Sequence, residues 1–223
     1  MVVGAGLAGL SAGLELKARG HEVHLIERSR LLGGKATSFE LGGVEVDNGQ
    51  HVFLACCTEF IDFVTQAVAG ADGAIHSPGS CLYLQDRFDA LLLAPGRAPA
   101  RLRATSLSAP LHLAAALLRY RYLTLAERFR VGVALSRAER PINTHETFDA
   151  WLRRHGQNDN AFTAFWNPFF VPALNAPLDE VSAESALFVI RTAFLHDAGA
   201  ARFGYSTVPL ARIAGAAAAQ LDA

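Results

Sequence analysis

Three glycines at the start of the chain, in Met1-Val2-Val3-Gly4-Ala5-Gly6-Leu7-Ala8-Gly9-Leu10, constrain the fold more than any other feature. Glycine loses more backbone freedom on folding than any other residue, so a cluster at this spacing implies that something large comes close to the backbone. Two valines lead into the run, and Leu10, Leu14 and Leu16 mark a helix that reaches Lys17-Ala18-Arg19 and stops at Gly20. A basic last turn with a glycine just past it is what a helix C-terminus favours. Residues His21 to Glu27 then alternate in the manner of a strand. Strand, glycine turn, helix and strand make a βαβ unit.

In such a unit Gly4 permits the tight turn, Gly6 lets the backbone touch a pyrophosphate, and Gly9 lets the helix pack on the strand. Leu7 and Ala8 open a helix whose amides and partial positive charge face the anion. Glu27 follows Gly9 by eighteen residues, at the end of the second strand, where a carboxylate accepts both hydroxyls of an adenosine ribose. The same carboxylate repels a 2′-phosphate, which disfavours NADP. The constellation therefore predicts a dinucleotide site.

The bulk numbers exclude several other classes. With 223 residues, 51% of them hydrophobic, and a net charge of −1, the chain has enough material for a core in one or two domains. No window approaches the roughly 20 apolar residues of a membrane span, since Ala109 to Leu118 is short and runs into Arg119 and Arg121. Nothing at the N-terminus has the order of a signal peptide. Cys56, Cys57 and Cys81 show neither CxxC nor zinc-ligand spacing, which predicts reduced core thiols, no metal site and a cytoplasmic protein.

The stretch Glu27-Arg28-Ser29-Arg30-Leu31-Leu32-Gly33-Gly34-Lys35-Ala36-Thr37-Ser38-Phe39 carries a second glycine pair followed by a cation and hydroxyls. It resembles the GG(R)xxS element of the FAD-dependent amine oxidase and phytoene desaturase superfamily, in which the cation and nearby backbone close over the FAD phosphates. Lys35 stands where that family usually has arginine, so the charge is kept and the bidentate fork is lost. The string Val46-Asp47-Asn48-Gly49-Gln50-His51-Val52-Phe53, with Leu31 to Phe39 before it, resembles the squalene-associated FAD-dependent desaturases, whose assigned activity is hydroxysqualene dehydroxylase in hopanoid biosynthesis. Phe165-Trp166-Asn167-Pro168 with Ala173-Leu174-Asn175, and Val208-Pro209-Leu210, resemble later segments of the same family.

That resemblance implies an α/β fold: a Rossmann-like FAD-binding domain interrupted by a mainly helical substrate domain. The composition divides accordingly into 1–96, 97–200 and a return segment 201–223. Implied cofactor contacts are Gly4, Ala5, Gly6, Leu7, Ala8, Gly9, Glu27, Arg28, Gly33, Gly34, Lys35, Ala36, Gly49 and Gln50. The implied substrate is a long apolar isoprenoid whose allylic hydroxyl is replaced by hydrogen, with reduced FAD supplying hydride. His51 is the one named candidate for the acid that helps the hydroxyl leave, beside a purely structural role. Phe165, Trp166, Phe169 and Phe170 either line a substrate tunnel or belong to the core. A carotenoid-type desaturase, in which oxidised FAD removes hydride, shares the same first half. The family's second glycine-containing FAD segment has no counterpart here, so the chain reads as the N-terminal part of a longer member, and a noncatalytic fragment is a further alternative.

Local patterns predict a helix over 54–76, a hairpin joining 81–84 to 90–93, and helices over 111–122, 125–137, 146–155 and 183–195. Thr124 and Glu127 form the pattern of a capping box, and Thr144 is the candidate cap of the third of these later helices. One feature lies outside the resemblance. Residues 97–137 carry eight arginines and a single acid, Glu127, interleaved with leucines and tyrosines. This pattern suits either an ordinary solvated face or peripheral contact with anionic membrane lipid. Nucleic acid is the poorest partner, because no binding module accompanies the charge. The oligomeric state is not legible.

Overall fold

The computed structural model describes residues 1–49, 52–68, 80–141 and 145–222; Gln50, His51 and Thr144 lie outside them. The chain forms two compact units, Met1–Gln85 with Phe203–Ala223, and Asp86–Arg202. The first boundary thus falls ahead of the proline-rich 95–99 stretch from which the sequence places it.

The first unit opens with β1 (Val2–Val3), then α1 (Leu7–Ala18), then β2 (Leu25–Ile26), which runs parallel to β1 with Val2 opposite Leu25. The strand expected over 21–27 contracts to two paired residues. Its partner is the reason: β1 offers two residues before Gly4, at φ +97°, turns the chain away. β3 (Ser38–Leu41) and β4 (Val44–Asp47) form an antiparallel hairpin whose turn residues, Gly42 and Gly43, both adopt positive φ. That left-handed pair matches the twist of the flanking strands. β5 (Val52–Leu54), α2 (Thr58–Ala67) and β6 (Leu82–Leu84) complete this stretch. All three cysteines are free, as expected; Cys81 is half-buried against the core, whereas Cys56 is half-buried and Cys57 exposed at the start of α2, outside it.

In the second unit β7 (Asp89–Leu92) pairs antiparallel with β8 (Ala100–Arg103). The expected hairpin between 81–84 and 90–93 is therefore incorrect in its pairing, although both strands exist. Alternation identifies a strand without naming its partner, and here Asp89 selects β8 by accepting from Arg101 Nε at 2.6 Å and facing Arg103 at 3.4 Å. A short 3₁₀ turn at Leu111–Leu113 leads into α3 (Ala114–Arg119), followed by α4 (Leu125–Ser136). The Thr124/Glu127 capping box is formed in full. Next come α5 (Phe148–Arg154), capped by Thr147, and α6 (Asp159–Ala161). A π-helical turn at Phe162–Trp166 leads into α7 (Asn167–Leu174), and α8 (Ala183–Ile190) continues as a second π-helical turn at Arg191–Leu195. Trp151, Trp166, Phe148 and Tyr120 are fully buried here. Two of them carry bonded polar atoms: Trp166 Nε1 donates to Gln157 Oε1 at 3.0 Å and Tyr120 Oη to Ala164 O at 2.6 Å.

The chain then returns to the first unit. β9 (Phe203–Ser206) lies between β5 and β6, antiparallel to both. α9 (Leu210–Asp222) buries Leu210, Ile213, Ala214 and Ala217 in a core with Leu10, Leu14, Phe63 and Val64. Asp47 fixes where α9 begins: its Oδ1 accepts from Leu210 N at 2.9 Å and from Ser38 Oγ at 2.6 Å, while Ser38 Oγ accepts from Ala211 N at 3.0 Å. A carboxylate at this position satisfies orphan amides of the helix start and complements its dipole. At the other end, Lys17 Nζ donates to the carbonyls of Gln220 and Leu221 at 2.7 and 3.1 Å.

Candidate functional site

The glycine turn is built from both sides of β1. Gly9 is demanded by the protein itself, since a Cβ there would stand 1.9 Å from Gly4 O, inside the contact of α1 with the strand end. Gly6 is different. Its φ of −73° is open to any residue, and a Cβ there would meet nothing within 4 Å. Nothing within the folded chain explains that glycine, whereas a ligand lying against the backbone does. No side chain caps the first turn of α1, and that turn of the twelve-residue helix carries no acidic residue.

The second glycine pair closes on the same turn. Gly33 N donates to Ala5 O at 2.7 Å, and a Cβ on Gly34 would lie 3.2 Å from Gly6 Cα. Gly33 is equally constrained, by Ala36 O at 2.2 Å. Ala36 itself is buried in the core behind the turn. Lys35 and Arg28 are exposed, and among the described residues neither joins an ion pair. Asn48 Nδ2 donates to Lys35 O at 3.0 Å, which ties the segment ending at Gly49 to the lysine loop. Neither this link nor the Asp47 cap is found by sequence reasoning; the Asp-Asn-Gly triplet is the signal that marks both.

Glu27 reaches back into the turn. Its Oε2 accepts from Ala5 N at 2.7 Å and its Oε1 from Ser29 N at 2.8 Å, and these two backbone bonds hold the carboxyl below the usual range. It is therefore ionised at neutral pH. A carboxylate has about four acceptor positions, so two remain for ribose hydroxyls. Gly4 to Gly9, Glu27, Gly33 and Gly34 thus come together, Lys35 and Arg28 lie on the exposed edge, and Gln50 and His51 fall outside the described residues.

The second unit holds a separate feature, a cavity of about 520 Å³. Phe88, Leu113, Leu117, Phe165, Phe169 and Phe194 are among its walls, and among the described residues the side chains with polar atoms along it are Ser136 and Glu139. The aromatic segment of 165–170 is accordingly divided. Phe165, Phe169 and Phe170 face the cavity, and Trp166 belongs to the core. The size lies in the range of small-molecule sites, about 300–1,000 Å³, and the lining suits a hydrocarbon.

A glycine-rich βαβ turn, with the Glu27 carboxylate reaching into it and a second glycine pair closing on it, belongs to an FAD-binding protein of mixed α/β architecture. Residues 7–220 match the family model for flavin containing amine oxidoreductase, and the chain belongs to that family. It is 27% identical over 213 residues to the chloroplastic/chromoplastic zeta-carotene desaturase of Zea mays, across 84% of this chain and 34% of that protein. It is 43% identical over 56 residues to the hydroxysqualene dehydroxylase of Zymomonas mobilis, 24% of this chain and 14% of that one. An oxidoreductase from Methanosarcina mazei superposes with a TM-score of 0.64 at 19% identity, covering 99% of this chain and 48% of its own. The matches thus cover 34%, 14% and 48% of these proteins, and the chain spans less than half of their length.

Proposed function

We propose that the chain supplies the nucleotide grip and the hydrocarbon pocket of an FAD-dependent oxidoreductase acting on a long isoprenoid, with reductive dehydroxylation of hydroxysqualene to squalene as its reaction. The single observation that carries the substrate class is the cavity, whose walls offer a polyene aromatic and aliphatic contact and almost no polar competition. Burying each methylene there is worth about 0.8 kcal/mol, enough for a long hydrocarbon to leave an aqueous phase without any directed bond. The phenyl rings of Phe165 and Phe169 would also favour positive charge developing on the chain. The likeness of the 46–53 string to the squalene-associated family, and the Zymomonas mobilis relative, support hydroxysqualene as substrate.

FAD, when bound, supplies a two-electron hydride carrier. In this reading Gly4, Ala5, Gly6, Leu7, Ala8 and Gly9 present backbone to its pyrophosphate. Glu27 takes the ribose hydroxyls, Gly33 and Gly34 allow the loop to close, and Arg28 and Lys35 neutralise phosphate charge. Ala36, Gly49 and Gln50 complete the contacts. His51 is the proposed acid for the departing hydroxyl.

A second reading, a carotenoid-type desaturase, is favoured by the longer match to the maize relative. Hydroxysqualene and phytoene, each given to the FAD-loaded protein, separate them. Squalene formed from hydroxysqualene, only when a reductant is present, supports the proposal. Loss of hydrogen from phytoene with oxidised flavin, and no turnover of hydroxysqualene, would replace it by the second reading.

A further inference from the structure

The outer side of the cavity wall carries the arginine-rich segment, and the structure sorts its residues. Glu127, the one acid between Arg97 and Arg137, is buried and fully engaged, accepting from Thr124 N, Thr124 Oγ1, Asn158 Nδ2 and Asn160 Nδ2. The acid-to-base imbalance of the sequence is thus larger at the surface than in the composition. Arg101 and Arg103 share an ion pair with Asp89, but Arg119 and Arg121, in and just past the end of α3, are exposed and join no ion pair among the described residues.

The same place exposes large apolar side chains. Leu118 at the end of α3 is 64% exposed, and Leu125 and Phe129, each 73% exposed, are one helical turn apart on one face of α4. Arg128 ties these elements together by donating to Leu118 O and to Leu123 O. Leu117 of α3 and Gly132 and Leu135 of α4 line the cavity. The two helices that bound the apolar chamber therefore also expose leucine and phenylalanine beside guanidinium groups that join no ion pair among the described residues. A solvated helix face has no use for a phenylalanine and two leucines at such exposure.

We propose that the α3–α4 corner, with Leu118, Leu125 and Phe129 as the inserting side chains and Arg119 and Arg121 as the headgroup contacts, docks on an anionic lipid bilayer. Charge complementarity selects that occupant: shallow apolar insertion beside unpaired arginines is the pattern of an interfacial anchor, and the arginines gain only where lipid headgroups are negative. Docking stands on this surface alone and is independent of the substrate assigned above.

The test is sedimentation of the 223-residue chain with vesicles of phosphatidylcholine, with and without phosphatidylglycerol. Binding is expected to the anionic vesicles and to fall with added salt. Arg119→Gln with Arg121→Gln should weaken it about 30-fold, from about fivefold for each arginine near a charged surface. Leu125→Ser with Phe129→Ser should weaken it at least as much on the same vesicles. Arg153→Gln with Arg154→Gln, which removes arginines already paired with Asp149, Asp159 and Glu146, should leave it unchanged. Circular dichroism confirms that each variant is folded. Equal binding to neutral vesicles, no binding by folded protein, or unchanged binding by both patch variants overturns the proposal. So does a dimer in solution that the Leu125 and Phe129 changes dissociate while lipid binding is absent, since the face would then join two copies of the chain.

Discussion

Gly6 and Gly9 stand three residues apart in one motif, and the structure gives them opposite consequences when replaced by alanine. At Gly9 the added Cβ would sit 1.9 Å from Gly4 O, so α1 must move off the strand end by about 1.5 Å to reach ordinary contact. Both sides of that contact are backbone and neither has a rotamer to escape into. Overpacking of this kind costs about 1–3 kcal/mol, and more where backbone alone must yield. For a chain of this size about 3 kcal/mol lowers Tm by roughly 6–12 °C. At Gly6 the Cβ meets nothing within 4 Å and φ is already compatible, so stability changes by the loss of an N-cap glycine, under about 1 kcal/mol. The methyl group instead stands where the pyrophosphate must lie. Losing one charge-assisted bond from backbone to phosphate is worth about 1.5–3 kcal/mol, or about 10- to 150-fold in FAD affinity. Thermal melts and FAD titration by fluorescence quenching, run on both variants, separate the two effects. If Gly6→Ala bound FAD as the parent does, or if Gly9→Ala melted at the parent temperature, the division of labour within the turn would be wrong.

Two further outcomes follow from buried polar groups. Glu127 is held down to about 2 from an ordinary 4.5, chiefly by the Thr124 amide and then by Asn158. Because the folded value is the lower one, its contribution is complete above about pH 4.5 and is lost as pH falls toward 2. Glu127→Ala should cost about 2–3 kcal/mol at neutral pH and flatten the acid side of a Tm-against-pH curve; an unchanged curve would contradict the network. His112 is fully buried with neither ring nitrogen hydrogen-bonded among the described residues, and burial lowers its pKa from the ordinary 6.5. The unfolded chain therefore takes up the proton first, and stability declines as pH falls below about 6.5. His112→Leu should raise stability by about 1 kcal/mol or more and remove that part of the slope, as read by chemical denaturation at pH 7.5 and 5.5. A less stable variant with the slope intact would show that the imidazole has a partner.

The nucleotide unit was the most legible part of the chain because its determinants are local. Gly4, Gly6, Gly9, Gly20 and Glu27 each report a backbone conformation or a terminal position that the sequence displays directly. What escaped was pairing between distant segments. Leu82–Leu84 reads as a strand, but nothing local says that Phe203–Ser206 will fill the place beside it. For the same reason nothing local marks Asp47 as a helix cap: its partner Leu210 is 163 positions away, and Ala211, which donates to Ser38 Oγ, is 173 positions from that serine. The aromatic segment at 165–170 reads ambiguously between core and tunnel because part of it packs in the core and part lines the cavity. A π-helical turn at 162–166 shifts the register of successive rings, sending Trp166 to the core and Phe165 and Phe169 to the cavity.

The account rests on Gly4 to Gly9, Glu27 and the second glycine pair forming a working grip for the adenosine end of FAD. The most direct measurement is equilibrium titration of the purified 223-residue chain with FAD, followed by displacement with ADP, on the parent and on Glu27→Ala. The account predicts saturable FAD binding that ADP displaces, weakened in the Glu27 variant while its circular dichroism spectrum is unchanged. A folded chain that binds neither FAD nor ADP, or that binds FAD equally well without the Glu27 carboxylate, would contradict it.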